Sequence, residues 1–262
     1  MTEEIVNKIC KEVFYTQPTE IIRNNVGLAG YVYTVQINNE KYVVKIDLGL
    51  VYKLLSKDEK KAIAKKLISY QKEIKKLPMA RGFGSLNSYE DKENIFATWE
   101  EVILNDIKRA EYGIKENKIF STEYASKVRD LIPGFKDYFS TIRPEAFLDD
   151  VTTKNVLIHE EKLSGIIDLD WITFGDQVYF LGLTAMALLS MQADLDYAEY
   201  LKEEMNLNPS QEKVLKLYIL IFCIIFMSEK GASFNQNEPA PVSEQEKNHL
   251  IKIFEKYFEE VK

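Results

Sequence analysis

The sequence predicts an α+β protein with a β-rich N-terminal part, residues 1–102, and a mainly helical C-terminal part, residues 103–262. Residues 19–49 carry the alternation of apolar and polar side chains that is typical of strands. Beyond residue 102 the apolar residues recur at helical spacing, and one hairpin pattern, residues 155–168, interrupts the helices. These observations together favour two lobes of different architecture.

The first elements of the N-terminal part follow from local patterns. Residues 3–14 have the apolar spacing of an amphipathic helix, and Asn38-Asn39 is a turn signal between two β-rich runs. Lys45 ends the run YVVK, which should form the third strand. We therefore expect a helix followed by a small antiparallel sheet.

A longer helix is predicted after this sheet. Ser56 and Glu59 have the spacing of a capping box, in which two residues satisfy each other's amide groups at the first helical turn. The helical pattern continues until Pro78 ends it. Strands are then expected around 80–86 and 94–99, and the segment 94–102 runs from the second of them into a connector between the lobes.

The C-terminal part is dominated by helical patterns. Its most apolar run, YILIFCIIFM (218–227), is much shorter than the roughly 20 residues that cross a bilayer. We therefore expect a helix that is buried on all sides rather than a membrane span. The predicted helices cover about 104–116, 121–139, 177–192, 195–205, 210–230 and 243–261.

Composition excludes several classes of protein. Apolar residues make up 46% and charged residues 29% of the chain, the profile of an ordinary globular protein. The charged segment 2–14 is unlike a secretory signal. Cys10 and Cys223 lie in apolar helical patterns, as expected for buried free thiols of a cytoplasmic protein, and two histidines do not form a zinc pattern.

The net charge of −7 argues against nucleic acid as a partner, and the charge is unevenly distributed. Residues 1–100 contain 16 basic and 13 acidic residues, a net of +3, which suits a polyphosphate ligand. Residues 101–262 contain 18 basic and 28 acidic residues, a net of −10. The acidic half suits either a cationic ligand or a plain solvated surface.

The strongest functional signal is a set of three oxygen-bearing side chains in one short stretch. Asn155 follows Asp150 by five residues, and Asp168 follows Asn155 by thirteen, with an apolar hairpin pattern between them. Phosphoryl transfer from a nucleotide needs one group that accepts the proton of the incoming hydroxyl and two that hold Mg²⁺ against the phosphates. A charged Asp168 directly after the apolar run GII would be costly without a partner, and a metal site explains its position.

This stretch resembles the aminoglycoside phosphotransferase family, which consists of small-molecule kinases with a protein-kinase-like fold. The family has an H-G-D-x-x-x-x-N-x-L segment, then an apolar strand, an I-D-[WF]-[DE] segment and a G-D pair. The corresponding text here is LDDVTTKNVL (148–157), GIIDLDW (165–171) and Gly175-Asp176. The resemblance implies a two-lobe fold with a nucleotide-binding lobe over 1–102 and a catalytic, acceptor-binding lobe over 103–262.

The resemblance also implies roles for individual residues. Asp150 takes the place of the family's catalytic aspartate. Asn155 and Asp168 take the places of the two magnesium ligands, and Lys45 takes the place of the strand lysine that contacts nucleotide phosphates.

The family's His-Gly pair is replaced here by Leu148-Asp149. In kinase-like folds that histidine mainly supports the loop through hydrogen bonds, and a leucine could support it by apolar packing instead. Asp149 puts a second carboxylate beside the presumed base, and two nearby carboxylates can raise one pKa. The five-residue spacing to Asn155 selects Asp150 rather than Asp149 as the base.

Further nucleotide contacts are expected in two places. Gly27 and Gly30 have G-x-x-G spacing between two strands, where backbone amides could cradle phosphates or simply form a turn. Trp99 and Glu101 lie in the expected connector, whose backbone would bind the nucleotide base by resemblance.

The partner of Lys45 is expected on the helix that follows the sheet. Glu59 is the favoured ion-pair partner, although it could instead serve only the capping box. Glu73, near the other end of the helix, is the alternative.

The predicted function is Mg²⁺-dependent transfer of the γ-phosphate of ATP or GTP to a hydroxyl group of a small cationic acceptor that resembles an aminoglycoside. A choline- or sugar-type kinase of the same fold is an alternative. A non-catalytic nucleotide- or ligand-binding module is another, favoured by the missing histidine and opposed by the retained base, metal ligands and lysine.

Overall fold

The computed structural model describes residues 2–24, 31–46, 52, 54–90, 95–159, 161–169, 172–231 and 241–262. The chain folds as two compact units. The first unit contains Met1–Lys66 and Val151–Asp168, and the second contains Leu67–Asp150 and Leu169–Lys262. The assignment of nucleotide binding to residues 1–102 and of catalysis to residues 103–262 stays a prediction.

The described residues form short strands and longer helices. The strands are β1 (Glu20–Asn24), β2 (Tyr31–Ile37), β3 (Glu40–Ile46), β4 (Gly84–Leu86), β5 (Ala146–Phe147), β6 (Val156–His159), β7 (Lys162–Ile166) and β8 (Ile172–Phe174). The α-helices are α1 (Thr2–Phe14), α2 (Lys57–Ile74), α3 (Trp99–Asn117), α4 (Glu123–Leu131), α5 (Lys136–Ser140), α6 (Val178–Ser190), α7 (Asp196–Met205), α8 (Pro209–Glu229) and α9 (Glu244–Val261).

The first unit contains the antiparallel sheet β1-β2-β3. Asn38 and Asn39 join β2 to β3 with φ values of 51° and 64°, the left-handed pair that a two-residue hairpin turn requires. Tyr33, Val35 and Ile37 alternate along β2 and are at most 2% exposed, so one face of this sheet is core. The predicted strands and turn are therefore confirmed.

The hairpin β6-β7 also belongs to the first unit. Its register pairs Val156 with Ile166 and His159 with Lys162 in antiparallel order. The hairpin predicted over 155–168 is therefore confirmed.

Helix α2 begins with the predicted capping box. The Ser56 amide donates a hydrogen bond to Glu59 Oε2 at 2.7 Å, and the Glu59 amide donates to Ser56 Oγ at 3.4 Å. The boundary between the two units falls inside this helix, between Lys66 and Leu67.

The second unit contains a three-stranded antiparallel sheet in the order β4-β8-β5. Phe174 of β8 lies between Gly84 of β4 and Ala146 of β5, and Thr173 pairs with Phe147. Because β5 ends at Phe147, the sheet fixes the start of the segment that carries Asp150.

Helix α8 forms the centre of the second unit, where it packs against α3, α6 and α9. Leu220, Ile221 and Ile224 are fully buried, but Ile225 and Phe226 are only partly buried, so the apolar run 218–227 is mostly enclosed rather than buried on all sides. Cys223 on this helix is a buried free thiol, and so is Cys10 in the first unit. Among the described residues, no helix combines the length and the apolar character needed to span a bilayer.

The strand predicted at 94–99 is wrong, and the role of residues 99–101 as a connector between the lobes stays a prediction. Phe96 makes only an isolated bridge with Phe83, and α3 already begins at Trp99. Thr98 and Glu101 form a capping box, in which the Glu101 amide donates to Thr98 Oγ1 at 3.2 Å. This cap starts a helix where the sequence pattern favoured an extended chain.

The single helix predicted over 121–139 is also wrong in detail. A 3₁₀ turn, Ile132–Phe135, separates α4 from α5. Pro133 lies in this turn and has no amide hydrogen to donate, so it interrupts the helical hydrogen bonds.

Candidate functional site

Asp150 follows strand β5 in the second unit. Ala146 and Phe147 of this strand are fully buried and pair with β8, so they anchor the segment that follows. Asp150 itself is half-buried, and its amide donates to Asp149 Oδ1 at 3.0 Å. A half-buried carboxylate next to a fixed strand can meet a ligand while its backbone stays in place.

Leu148 is held by the side chain of Gln71, 77 residues earlier in the sequence. Gln71 Nε2 donates to the Leu148 carbonyl at 2.7 Å, and the Leu148 amide donates to Gln71 Oε1 at 3.0 Å. Leu148 is 5% exposed, in agreement with the predicted support by apolar packing. Sequence reasoning missed Gln71, because no local pattern links positions so far apart.

Asp149 is held by a short chain of hydroxyl groups. The Thr173 hydroxyl hydrogen-bonds the Asp149 carboxylate, and it lies 2.8 Å from the Ser85 hydroxyl. Either hydroxyl can donate in the contact between Ser85 and Thr173. Burial raises the pKa of Asp149, and the charge of Asp150 raises it further.

Other ionisable groups lie near these two aspartates in the second unit. The Tyr179 hydroxyl donates to Asp106 Oδ2 at 2.6 Å. Burial raises the pKa of Asp106, and the charge of Asp149 adds to that increase. Burial also raises the pKa of Tyr197, with a further contribution from Asp150. Asp149 therefore interacts with the presumed base Asp150 and with Asp106, while the positive charge of Arg109 offsets part of this negative charge by lowering the pKa of Asp106.

Asn155 and Asp168 lie at the open end of the β6-β7 hairpin in the first unit. The Ile167 amide donates to the Asn155 carbonyl at 2.9 Å, which continues the strand pairing by one step. The Asn155 amide donates to the Thr152 carbonyl at 2.9 Å. Asn155 is 3% exposed, whereas Asp168 is exposed and has a φ of 62°, a conformation that aspartate tolerates better than most residues.

These two residues fit a magnesium site in their chemistry. Carboxylate and amide oxygens are suitable Mg²⁺ ligands, and Mg²⁺ commonly uses one or two protein ligands together with phosphates and water. Within the described residues, no group of three or more His, Cys, Asp and Glu side chains is arranged to hold a metal. Asp150 belongs to the second unit and the other two to the first, so the convergence of all three on one ion stays a prediction.

Lys45 lies in β3 of the first unit, where its backbone pairs with Val32 of β2. Glu59 forms the cap of α2, and hydrogen bonds from Ser56 lower the pKa of its carboxyl group. Glu73 forms an exposed ion pair with Lys76 at 2.7 Å. Each candidate glutamate thus has a contact other than Lys45: Glu59 with Ser56, and Glu73 with Lys76. The pairing of either one with Lys45 stays a prediction.

The remaining predicted nucleotide contacts differ in their outcome. Gly27 and Gly30 lie outside the described residues. Trp99 is fully buried, and its indole Nε1 donates to the Tyr218 hydroxyl at 2.8 Å. The Glu101 carboxylate accepts from the Ala97 amide at 2.8 Å as part of the α3 cap. The Trp99 and Glu101 side chains are therefore engaged in packing and capping in the second unit.

Close packing around Trp99 also explains Gly175, the glycine of the G-D pair. A Cβ atom on Gly175 would come within 2.2 Å of the Trp99 ring, so position 175 needs a residue without a side chain. Asp176, the next residue, accepts hydrogen bonds from the hydroxyl groups of Tyr138 and Tyr218, each at 2.7 Å. This arrangement makes Gly175-Asp176 a packing element of the second unit.

Comparison with known proteins gives a result at the level of structure. No protein-family model matches the sequence, and no curated protein sequence matches it. The fold is similar to that of aminoglycoside phosphotransferase APH(4)-Ia, crystallised with AMP-PNP and hygromycin B, with a TM-score of 0.54 and 12% identity over 95% of this chain and 98% of that chain. It is also similar to ADP-bound APH(2'')-Ib, with a TM-score of 0.53 and 12% identity over 98% and 99% of the two chains.

A third similar structure is the choline kinase LicA from Streptococcus pneumoniae, with a TM-score of 0.50 and 12% identity over 99% of this chain and 98% of that chain. The matches extend over nearly the full length of each chain, so they concern the whole fold rather than one motif. The protein therefore has the protein-kinase-like fold shared by aminoglycoside phosphotransferases and choline kinase.

Proposed function

We propose that the protein is a Mg²⁺-dependent phosphotransferase that moves the γ-phosphate of ATP or GTP to a hydroxyl group of a small cationic acceptor resembling an aminoglycoside. The observation that carries this proposal is the hairpin β6-β7, which brings Asn155 and Asp168 to one end although they are thirteen positions apart in the sequence. A kinase-like fold with two oxygen-bearing residues at the same end of one hairpin supports nucleotide chemistry.

The proposed reaction asks for little covalent chemistry from the protein. The acceptor oxygen bonds to the γ-phosphorus while the bond from that phosphorus to the β–γ bridging oxygen breaks, and the nucleoside diphosphate leaves. Asp150 orients the acceptor hydroxyl and takes its proton. Lys45 neutralises phosphate charge from strand β3. Asn155 and Asp168 would hold Mg²⁺, which supplies further charge neutralisation when it is bound.

The acidic surroundings of Asp150 support a cationic acceptor. Asp106 and Asp149 lie near enough for their charges to interact, and residues 101–262 have a net charge of −10. Negative groups around a site raise the local concentration of cations, as an aminoglycoside-like substrate would require. The bound ligands in the structurally similar phosphotransferases include hygromycin B and streptomycin, which agrees with this acceptor class.

A choline-type kinase is the second candidate function. The similarity to choline kinase LicA favours it, and an acidic environment suits a quaternary ammonium group as well as it suits an aminoglycoside. The two candidates differ only in the acceptor and share the proposed base and metal ligands.

A transfer assay tests the proposal and separates the candidates. The protein is incubated with Mg²⁺ and either ATP or GTP together with aminoglycosides, choline or sugars, and mass spectrometry follows each acceptor. We expect a cationic acceptor to gain one phosphoryl group, with no product when Mg²⁺ is chelated. Nucleotide binding without transfer to any acceptor would favour a non-catalytic module instead.

A further inference from the structure

The contact between Gln71 and Leu148 has the form of a clamp on the segment that carries Asp150. Both residues belong to the second unit, and the Gln71 side chain is 2% exposed. Its amide group pairs with the N–H and the C=O of the same residue, at 3.0 Å and 2.7 Å. A glutamine side chain can do this because it contains one acceptor and one donor group on the same carbon.

The burial of both partners makes this clamp specific. Leu148 is 5% exposed, so its peptide groups have little access to water and need partners within the protein. An aliphatic residue at position 71 would leave a buried donor and a buried acceptor unpaired, which costs more than the two hydrogen bonds contribute on balance. The position of Leu148 is therefore fixed relative to helix α2.

A second contact lies directly after the end of α2. Lys75 Nζ lies 2.8 Å from Glu145 Oε2, and Glu145 immediately precedes β5. Lys75 is the first residue after α2, and its amide donates to the Gln71 carbonyl at 2.9 Å, so the two residues lie one turn apart. The Lys75 side chain is 46% exposed, so solvent screens this ion pair and the buried amide contact is the stronger restraint.

We propose that Gln71 is a positioning residue for phosphoryl transfer: it holds Leu148 so that Asp150, two residues later, meets the acceptor hydroxyl. This inference rests on the proposed function. Gln71 supplies from helix α2 the hydrogen-bonding support that the family's histidine would supply from position 148. The Leu148 side chain contributes apolar packing at the same place.

Two measurements on Gln71→Leu test this inference. Hydrogen exchange should become about tenfold faster at the amides of residues 148–150, the change expected when one net hydrogen bond is lost. With the acceptor found in the transfer assay, kcat should fall by about a hundredfold, the scale expected for a misplaced catalytic group, while KM for the nucleotide stays within about twofold.

Three further variants serve as controls. Leu250→Ala in α9 removes a buried side chain of the second unit and should lower the melting temperature without altering kcat. Lys75→Gln removes only the half-exposed ion pair and should change kcat by less than about threefold. Gln71→Glu keeps an acceptor for the Leu148 amide but, while ionised, loses the donor to the Leu148 carbonyl, so it provides a second variant if Gln71→Leu does not fold.

The outcomes are distinguishable. Unchanged exchange at residues 148–150 in both Gln71 variants, or a loss of kcat no greater than that in Leu250→Ala, would overturn the positioning role. Absence of transfer by the wild-type protein would overturn the proposed function and with it the catalytic part of this inference. Exchange would then still decide whether Gln71 holds the segment that carries Asp150.

Discussion

The backbone carbonyl of Asn155 accepts a hydrogen bond from the amide of Ile167 at 2.9 Å. This bond extends the pairing of β6 with β7 by one step beyond Val156 and Ile166. Asp168 comes directly after Ile167, so the hairpin holds Asn155 and Asp168 at the same end. Strand pairing alone therefore brings these two candidate magnesium ligands, which are distant in sequence, to the same end of the hairpin.

The first prediction concerns Asp168. Asp168→Asn keeps a residue that tolerates the left-handed backbone at this position, so the melting temperature should change by less than about 2 °C. The loss of the carboxylate charge should weaken the Mg²⁺-dependent binding of a non-hydrolysable ATP analogue by about tenfold or more. Titration calorimetry at a fixed Mg²⁺ concentration measures this change.

Glu161→Gln is the matched control for Asp168→Asn. Glu161 is also an exposed acid with a positive φ, 63°, but it lies at the turn end of the same hairpin. Its substitution should leave nucleotide binding within about twofold of the wild type. Equal losses in the two variants would mean that a general charge effect, rather than a metal ligand, is responsible.

The second prediction concerns Asp150 as the base. Asp150→Asn should lower kcat by about 10²–10⁴-fold while the fold is retained, because the amide cannot accept the acceptor proton. Asp130→Asn, at an exposed position in α4, serves as the control and should leave kcat unchanged. Steady-state kinetics with circular dichroism measures both effects, and near-normal turnover in Asp150→Asn would remove the proposed base.

The third prediction concerns the pH dependence of stability at Asp149. Burial and the charge of Asp150 raise the pKa of this carboxyl group in the folded protein above its unfolded value of about 3.9. Its contribution to the free energy of unfolding is therefore complete below the unfolded pKa and is lost as the pH rises through the raised folded pKa. Asp149→Asn should be more stable than the wild type at neutral pH.

Urea denaturation at several pH values checks the Asp149 prediction. The stability difference between Asp149→Asn and the wild type should shrink toward zero as the pH falls below about 4. Part of the difference arises from Asp106, because the charge of Asp149 also raises the pKa of that residue. A difference that is independent of pH would show that Asp149 does not titrate differently in the folded and unfolded states.

The fourth prediction concerns the hydrogen-bonded chain from Trp99 to Asp176. The buried Tyr218 hydroxyl accepts from Trp99 Nε1 at 2.8 Å and donates to Asp176 Oδ2 at 2.7 Å. Tyr218→Phe leaves the indole N–H unpaired and removes one partner of Asp176, so it should cost about 2–3 kcal/mol of stability. Denaturant unfolding measures this loss.

Tyr138→Phe provides the comparison for Tyr218→Phe. Its hydroxyl also donates to Asp176 Oδ2 at 2.7 Å, but Tyr138 is half-buried. Water can replace part of this contact, so the expected cost is about 1 kcal/mol or less. A larger loss of stability in Tyr138→Phe than in Tyr218→Phe would contradict the prediction that the buried Tyr218 hydroxyl stabilises the protein more.

The fold could be predicted from the sequence where local signals agree with tertiary contacts. Asn38-Asn39 and the Ser56–Glu59 capping box act over a few residues, and both were predicted correctly. The segment before α3 was mispredicted because apolar residues in 94–102 outweighed a capping box at Thr98 and Glu101. That spacing was present in the sequence and could have located the start of the helix.

The candidate site shows a different limit of sequence reasoning. The hairpin between Asn155 and Asp168 forms within one short stretch of the chain, so the sequence pattern predicts it. The clamp between Gln71 and Leu148 depends on two distant segments that meet only in the folded protein. Gln71 lies in a helix where a polar residue is ordinary, and no feature of its neighbours indicates a buried partner.

Titration of the wild-type protein with non-hydrolysable ATP and GTP analogues, in the presence of Mg²⁺ and then of a chelator, tests the account most directly. We predict that at least one analogue binds with Mg²⁺ and that chelation weakens its binding by about tenfold or more. Failure of both analogues to bind with Mg²⁺, or equal binding after chelation, would contradict the proposed metal-assisted phosphotransferase.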